Sequence, residues 1–214
     1  MDRASLSADI VETALALGPS GLGVGTAGNV SARFESGMLI TPSGLPYENM
    51  TPDDIVFVDG EGAAEGSLKP SSEWRFHLDI YRARSEAAAI VHSHSPHATA
   101  LACLRQGVPA FHYMVAVAGG VDIRCSDYAT FGTQGLSNAI LEALHDRKAC
   151  LMANHGQVAF GDTLQQALGL AQEVEALAQQ YLLARKSGYP VLLEAEEMAE
   201  VLERFKTYGV QEEA

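Results

Sequence analysis

Cysteine is scarce in this chain: Cys103, Cys125 and Cys150 are the three among 214 residues. An odd number with no close pair argues against a disulfide framework and against a cysteine-based zinc knuckle, and it fits a reducing cytoplasm. Basic residues are also few. Lys and Arg total 14 against 27 Asp and Glu, a formal charge of -13, and such a surface repels nucleic acid and anionic membrane. Long apolar runs are missing, since none reaches the roughly 20 residues that cross a bilayer. The stretch Met1 to Leu17 carries Asp2, Asp9 and Glu12 where a signal peptide needs a basic start and an unbroken apolar core. Repeats, low-complexity tracts and linkers are absent too. What remains is a chain of 47% hydrophobic residues, enough to bury a substantial core, so a single domain spanning 1–214 and a soluble cytoplasmic protein are expected. If the substrate is an anion, its attraction must be local, from a metal ion, helix N-termini and backbone amides.

The hydrophobic pattern is that of mixed α and β structure. Ile10, Val11, Ala14, Leu15 and Leu17 recur at near-helical spacing over Leu6–Leu17, and Pro19 and Gly21 end that element. Short β-type runs at Asn29–Phe34, Met38–Thr41 and Ile55–Val58 suggest a meander. A helix is expected from near Ser71 to Ala83, a strand ending at His92 and His94, and a helix from Pro96 to Leu104. Phe111–Val117 reads as extended and Ser137–His145 as helical. Lys148–Asn154 and Gln157–Phe160 read as a hairpin with His155 at its turn. Thr163 should cap a long helix to Arg185, and Leu192–Phe205 should form the last one.

Against this background a few side chains stand out. In Val91-His92-Ser93-His94-Ser95-Pro96-His97 two imidazoles lie two residues apart after the apolar Ala87–Val91, so a strand there points both to one face. Any one histidine is most simply a core or surface residue. His92 and His94 together with the turn residue His155 form a ligand set that zinc sites use with a fourth position open. The H-x-H-x-x-H spacing of binuclear hydrolases is incomplete, because Pro96 stands where an aspartate is needed, and a helix starting there turns His97 away to a packing or outer role. His77, His112 and His145 lack comparable support.

Two further segments read ambiguously by themselves. Gly23-Val24-Gly25-Thr26-Ala27-Gly28 matches G-x-G-x-x-G, but a helix precedes it and a strand follows, the reverse of dinucleotide-binding order. It is either a flexible turn or a loop whose small residues let backbone N–H groups approach a phosphate. Pro70-Ser71-Ser72-Glu73 reads as an ordinary N-cap with a first-turn acid, or as a helix N-terminus built for an anion.

Taken in order and spacing, Gly25-Thr26-Ala27-Gly28-Asn29-Val30-Ser31, Ile40-Thr41-Pro42-Ser43-Gly44, Lys69-Pro70-Ser71-Ser72-Glu73, His92-Ser93-His94 and Asn154-His155-Gly156 resemble the class II aldolase/adducin family over nearly the whole chain. Tyr113, Phe131 and Phe205-Lys206-Thr207-Tyr208-Gly209 make the likeness strongest to the branch acting on L-fuculose 1-phosphate. The resemblance implies a three-layer α/β/α fold around a largely antiparallel sheet and a homotetramer with sites between subunits. It implies one Zn2+ per subunit on His92, His94 and His155, with Glu73 beside the ion as acid/base and as a ligand when substrate is absent. Gly28, Asn29, Ser43, Gly44, Ser71 and Ser72 become the phosphate pocket. Tyr113, arriving from the neighbouring subunit, becomes the acid/base on the aldehyde oxygen, with Tyr208 and Phe131 shaping the aldehyde pocket. The implied reaction cleaves a ketose 1-phosphate, namely L-fuculose, 5-deoxyribulose or 5-methylthioribulose 1-phosphate, to dihydroxyacetone phosphate and an aldehyde. Sister chemistries on this scaffold are epimerisation, dehydration and decarboxylation. Glu73 argues against the first and last, which carry Asp or Lys there. A non-catalytic adducin-like interaction module is the reading from another class, and the three histidines with Glu73 count against it.

Overall fold

The computed structural model describes residues 2–23 and 26–207. Eight strands form one sheet: β1 (Asn29–Phe34), β2 (Gly37–Ile40), β3 (Val56–Val58), β4 (Ala64–Glu65), β5 (Ala89–Ser93), β6 (Cys125–Ser126), β7 (Ala149–Met152) and β8 (Gly156–Gly161). Their order is β4-β3-β2-β1-β5-β8-β7-β6, and every pairing is antiparallel except β6 with β7. Among the described residues six α-helices cover it: α1 (Arg3–Leu17), α2 (Trp74–Ala83), α3 (Pro96–Cys103), α4 (Gln134–Ala143), α5 (Leu164–Ser187) and α6 (Ala195–Phe205). None of the described helices is long and apolar enough to cross a membrane.

Strand alternation builds two cores. Val30 and Ala32 on β1, Ala89 and Val91 on β5, and Leu151 on β7 face α1, α3, α5 and α6. Their sequence neighbours Ile90, Cys150 and Met152 face α2 and α4, where Phe76, Ile80, Leu136 and Ile140 meet them. A helix layer on each side of a largely antiparallel sheet is the three-layer arrangement expected from the sequence.

Most elements fall where the hydrophobic pattern puts them, although α1 starts at Arg3 rather than Leu6 and α4 at Gln134 rather than Ser137, and three further elements differ. Helix α2 starts at Trp74 rather than near Ser71, with Glu73 at its N-cap position and no side chain capping it. Residues before it are recruited elsewhere: Ser71 N–H donates to Thr41 O, Ser43 N–H donates to Lys69 O, and Pro42 and Pro70 form an antiparallel bridge. Phe111–Val117 is not extended, since Tyr113–Ala118 is a 3-10 helix closed by Gly119 in the left-handed region. The last helix begins at Ala195 rather than Leu192, at a capping box of Glu194 and Glu197.

Candidate metal centre and anion pocket

The face of the sheet under α2 carries the polar residues. Asn29 on β1 and His92 on β5 are directly paired across the strands. His94 follows the end of β5 on the same parity, and His155 sits in the tight turn between β7 and β8. That turn is shaped by Asn154, whose φ of 54 is in the left-handed region, a conformation asparagine tolerates better than most. Gly156 then passes so close to β5 that a Cβ there would lie 2.4 Å from Ser93 O and 3.0 Å from His94 Cδ2. Gly28, with φ of 96, makes the corresponding approach at the start of β1, where a Cβ would lie 2.6 Å from His92 O. The two glycines let β1 and the hairpin close on the histidine strand from both sides.

His92, His94, His155 and Glu73 thus converge, with one ligand atom from each lying within 4.8 Å of all the others. The three rings stand edge to face, with centroids 4.8 to 4.9 Å apart. His92 is fully buried and Glu73 nearly so. His92 Nδ1 lies 2.7 Å from Gln157 O and therefore donates its proton there, which turns the Nε2 lone pair inward. Nε2 of His92 lies 3.0 Å from Nε2 of His94 and 3.0 Å from Glu73 Oε2. Glu73 Oε1 is 3.1 Å from His155 Nε2, yet it is buried without an aligned hydrogen bond.

Lone pairs this close repel unless positive charge lies between them. In the metal-free protein a proton supplies it. Burial alone would raise the Glu73 carboxyl, but His92 and His155 outweigh it and hold the group far below the usual carboxylate range. Burial likewise opposes charge on His92, but Glu73 and the Gln157 carbonyl raise its affinity for the proton. His94 is pushed down to about 4 by burial and then by the charges of its two histidine neighbours. Three imidazoles, one ionised carboxylate and an orphaned carboxylate oxygen fit a divalent metal of the zinc type better than a proton.

A cavity of about 380 Å³ opens from this cluster, lined by Gly28, Asn29, Ser43, Gly44, Ser71, Ser72, Glu73, His94, His155 and Phe131. All six residues expected to hold phosphate therefore share one cavity with the metal cluster. The bridge between residues 42 and 70 joins the two serine-bearing loops into one wall. Ser71 is buried, with its hydroxyl accepting from Glu73 N–H at 3.3 Å, whereas Ser72 is exposed. Phe131 is 63% exposed at the mouth.

Other expected residues lie elsewhere. Tyr113 is 47% exposed, stacks on His112, and does not line this cavity. Tyr208 lies outside the described residues. His97 points to α5, where Glu175 accepts from its ring Nδ1 at 2.7 Å and its backbone N–H at 2.9 Å. Sequence reasoning missed Tyr128 in the cavity wall, and it missed Tyr47, whose hydroxyl donates to Gly28 O at 2.8 Å. It also missed His77, which is fully buried against Asn29. No motif marked any of them. A histidine on the inward face of α2 was the one available signal.

Comparison with known proteins agrees with this geometry. Residues 8–182 match the family described as Class II Aldolase and Adducin N-terminal domain. The 5-methylthioribulose-1-phosphate/5-deoxyribulose-1-phosphate aldolase of Rhodospirillum rubrum is 53% identical over 97% of this chain and 94% of its own length. The L-fuculose phosphate aldolase of Escherichia coli is 52% identical over 99% of both chains. Among solved structures, an L-fuculose 1-phosphate aldolase superposes with a TM-score of 0.91 at 41% identity, covering 94% of this chain and 96% of that one.

Proposed function

This chain belongs to the class II aldolase and adducin family and is a class II aldolase, a lyase acting on a ketose 1-phosphate; from that premise we propose the roles of its residues. His92, His94 and His155 hold one Zn2+ per subunit, and Glu73 stands beside it. The observation that carries this reading is the buried Glu73 carboxylate meeting three imidazoles in a cavity whose wall is two serine-bearing loops. Held by these residues, the metal would supply a Lewis acid for the negative charge that develops when C3–C4 breaks. The backbone and hydroxyl groups of Gly28, Asn29, Ser43, Gly44, Ser71 and Ser72 bind the phosphate, giving a chain of net charge -13 a local site for an anion. Glu73 delivers a proton to C3 of the enediolate, the carbon that was bonded to C4, in cleavage and removes it in synthesis.

The aldehyde end is the open side of the cavity. Phe131 supports an apolar wall there, with Tyr208 as a second contributor and Tyr113 of a neighbouring subunit as acid/base on the aldehyde oxygen. The exposure of Tyr113 suits a residue that acts in another subunit's site, and a homotetramer of this kind is part of the proposal. A cytoplasmic location is proposed as well, supported by Cys103, Cys125 and Cys150 all being free thiols. The candidate substrates are L-fuculose, 5-deoxyribulose and 5-methylthioribulose 1-phosphates.

The test is to incubate zinc-loaded protein with each ketose 1-phosphate and couple release of dihydroxyacetone phosphate to a glycerol-phosphate dehydrogenase. Release from at least one, abolished by a chelator, supports the reading and identifies the aldehyde. Epimerised or dehydrated sugar without release moves the protein to a sister chemistry.

A further inference from the structure

A line of buried polar groups runs from Glu73 away from the cavity and ends under α2. Asn29 Nδ2 donates to Glu73 Oε2 at 3.1 Å, and Asn29 Oδ1 lies 2.5 Å from His77 Nε2. His77 Nδ1 lies 2.7 Å from Ser31 Oγ, which lies 2.8 Å from the Tyr81 hydroxyl. The elements explain the placement. Asn29 and Ser31 are two residues apart on β1 and face α2, while His77 and Tyr81 are four apart on α2 and face β1. His77 is fully buried, stacked on Phe76, and the mechanism proposed above makes no use of it.

The proton positions in this line follow from its first member. An ionised Glu73 can only accept, so Asn29 must present its amide N–H to it and its carbonyl to His77. His77 must then carry its proton on Nε2, and its Nδ1 must accept from Ser31. The Ser31 hydroxyl, having given its one proton, accepts from Tyr81. Every donor therefore points toward Glu73. The alternative is a doubly protonated His77, which burial and then the charge of His92 oppose, lowering its pKa to about 3. Burial likewise raises the Tyr81 hydroxyl, so the far end of the line stays protonated.

We propose that His77 is a positioning residue for Glu73: as the Nε2–H tautomer it locks the Asn29 amide with Nδ2 on the carboxylate, and Ser31 and Tyr81 hold His77 in that tautomer. Without the lock, the Asn29 amide can turn its oxygen toward Glu73 and drive the carboxylate from its place. The same amide lines the cavity, so its orientation also sets which atom faces the phosphate end. The inference rests on Glu73 as the C3 base, and its test separates the two.

Zinc-loaded protein with nitrogen-15 histidine reports the His77 tautomer by NMR without any turnover. Exchange of the C3 hydrogen of dihydroxyacetone phosphate, on its hydroxyl-bearing carbon, in D2O reports Glu73 without an aldehyde. The expected results are Nε2–H for His77, and C3 exchange slowed about 10- to 100-fold in His77→Leu at unchanged zinc content. His77→Gln, which restores an N–H near Nε2, should recover most of the rate. His77→Asn, whose shorter amide does not reach Asn29, should be slow like leucine and serves if leucine prevents folding. An Nδ1–H tautomer overturns the inference, as does equal slowing by Gln and Asn or wild-type exchange in either slow variant. Wild-type protein that exchanges no C3 hydrogen overturns the C3-base role instead, and the tautomer then decides this inference alone.

Discussion

A buried histidine with nothing but neutral partners is a liability in acid, and His77 is one. Its folded pKa, about 3, lies below the ordinary 6.5 because burial comes first and the charge of His92 adds to it. Between those values the unfolded chain binds a proton that the folded chain refuses, so stability falls as pH falls through that window. The slope from this one group is at most about 1.4 kcal/mol per pH unit. Denaturant titrations of metal-free protein from pH 7 to pH 4 should show the decline, and His77→Gln should flatten it. An equal slope in both proteins would mean that His77 protonates without cost. At this scale the sequence was most legible where chemistry demands particular residue types. His92, His94 and His155 could be picked out by spacing and context and Glu73 through the family resemblance, and the four converge. His77 could not, because its role depends on a neighbour 48 residues away that only folding supplies.

Elements bring these side chains within reach, and the hairpin of β7 and β8 does so with little room to spare. Gly156→Ala would place a methyl 2.4 Å from Ser93 O, against backbone that cannot rotate away. The hairpin must lift from β5 and carry His155 with it. The expected cost is about 1 to 3 kcal/mol of stability, with zinc affinity lowered by about 10- to 100-fold in a chelator competition. Unchanged affinity would show that His155 is placed by something other than this contact. The hairpin was visible in the sequence because two β-type runs flank Asn154-His155-Gly156. The start of α2 was not. Ser71 and Ser72 look like a helix cap, but the backbone of residue 71 is committed to Thr41, which delays the helix to Trp74 and leaves both serines on the cavity wall. Local propensity was overruled there by a pairing between loops 28 residues apart. Phe111–Val117 misled for a different reason, since a short apolar run has no periodicity to separate a strand from a tight helix.

For the whole molecule, a charge of -13 and a cavity that Tyr113 does not reach both bear on assembly. If Tyr113 acts in a neighbour's site, a Glu73→Gln subunit and a Tyr113→Ala subunit, each inactive in its own oligomer, should complement each other when co-expressed. Random mixing leaves about a quarter of the sites with both native residues. Activity of that order in the purified mixture supports shared sites, and none would assign Tyr113 to packing. A largely antiparallel sheet between two helix layers was legible as a fold class from the family resemblance and from the β-rich first half, and the strand order was not. The short strands β4 and β6 were not, because two-residue strands carry no pattern of their own.

The central claim is that one metal ion on His92, His94 and His155, beside Glu73, carries the cleavage. The measurement that tests it most directly is a titration of metal-stripped protein with zinc, following dihydroxyacetone phosphate release from a ketose 1-phosphate. The account predicts no release before zinc, a linear rise that breaks at about one equivalent per subunit, and a Glu73→Gln protein whose release stays about 10²- to 10⁴-fold lower at saturating zinc. Release by the metal-stripped protein, or by Glu73→Gln at the wild-type rate, would contradict it.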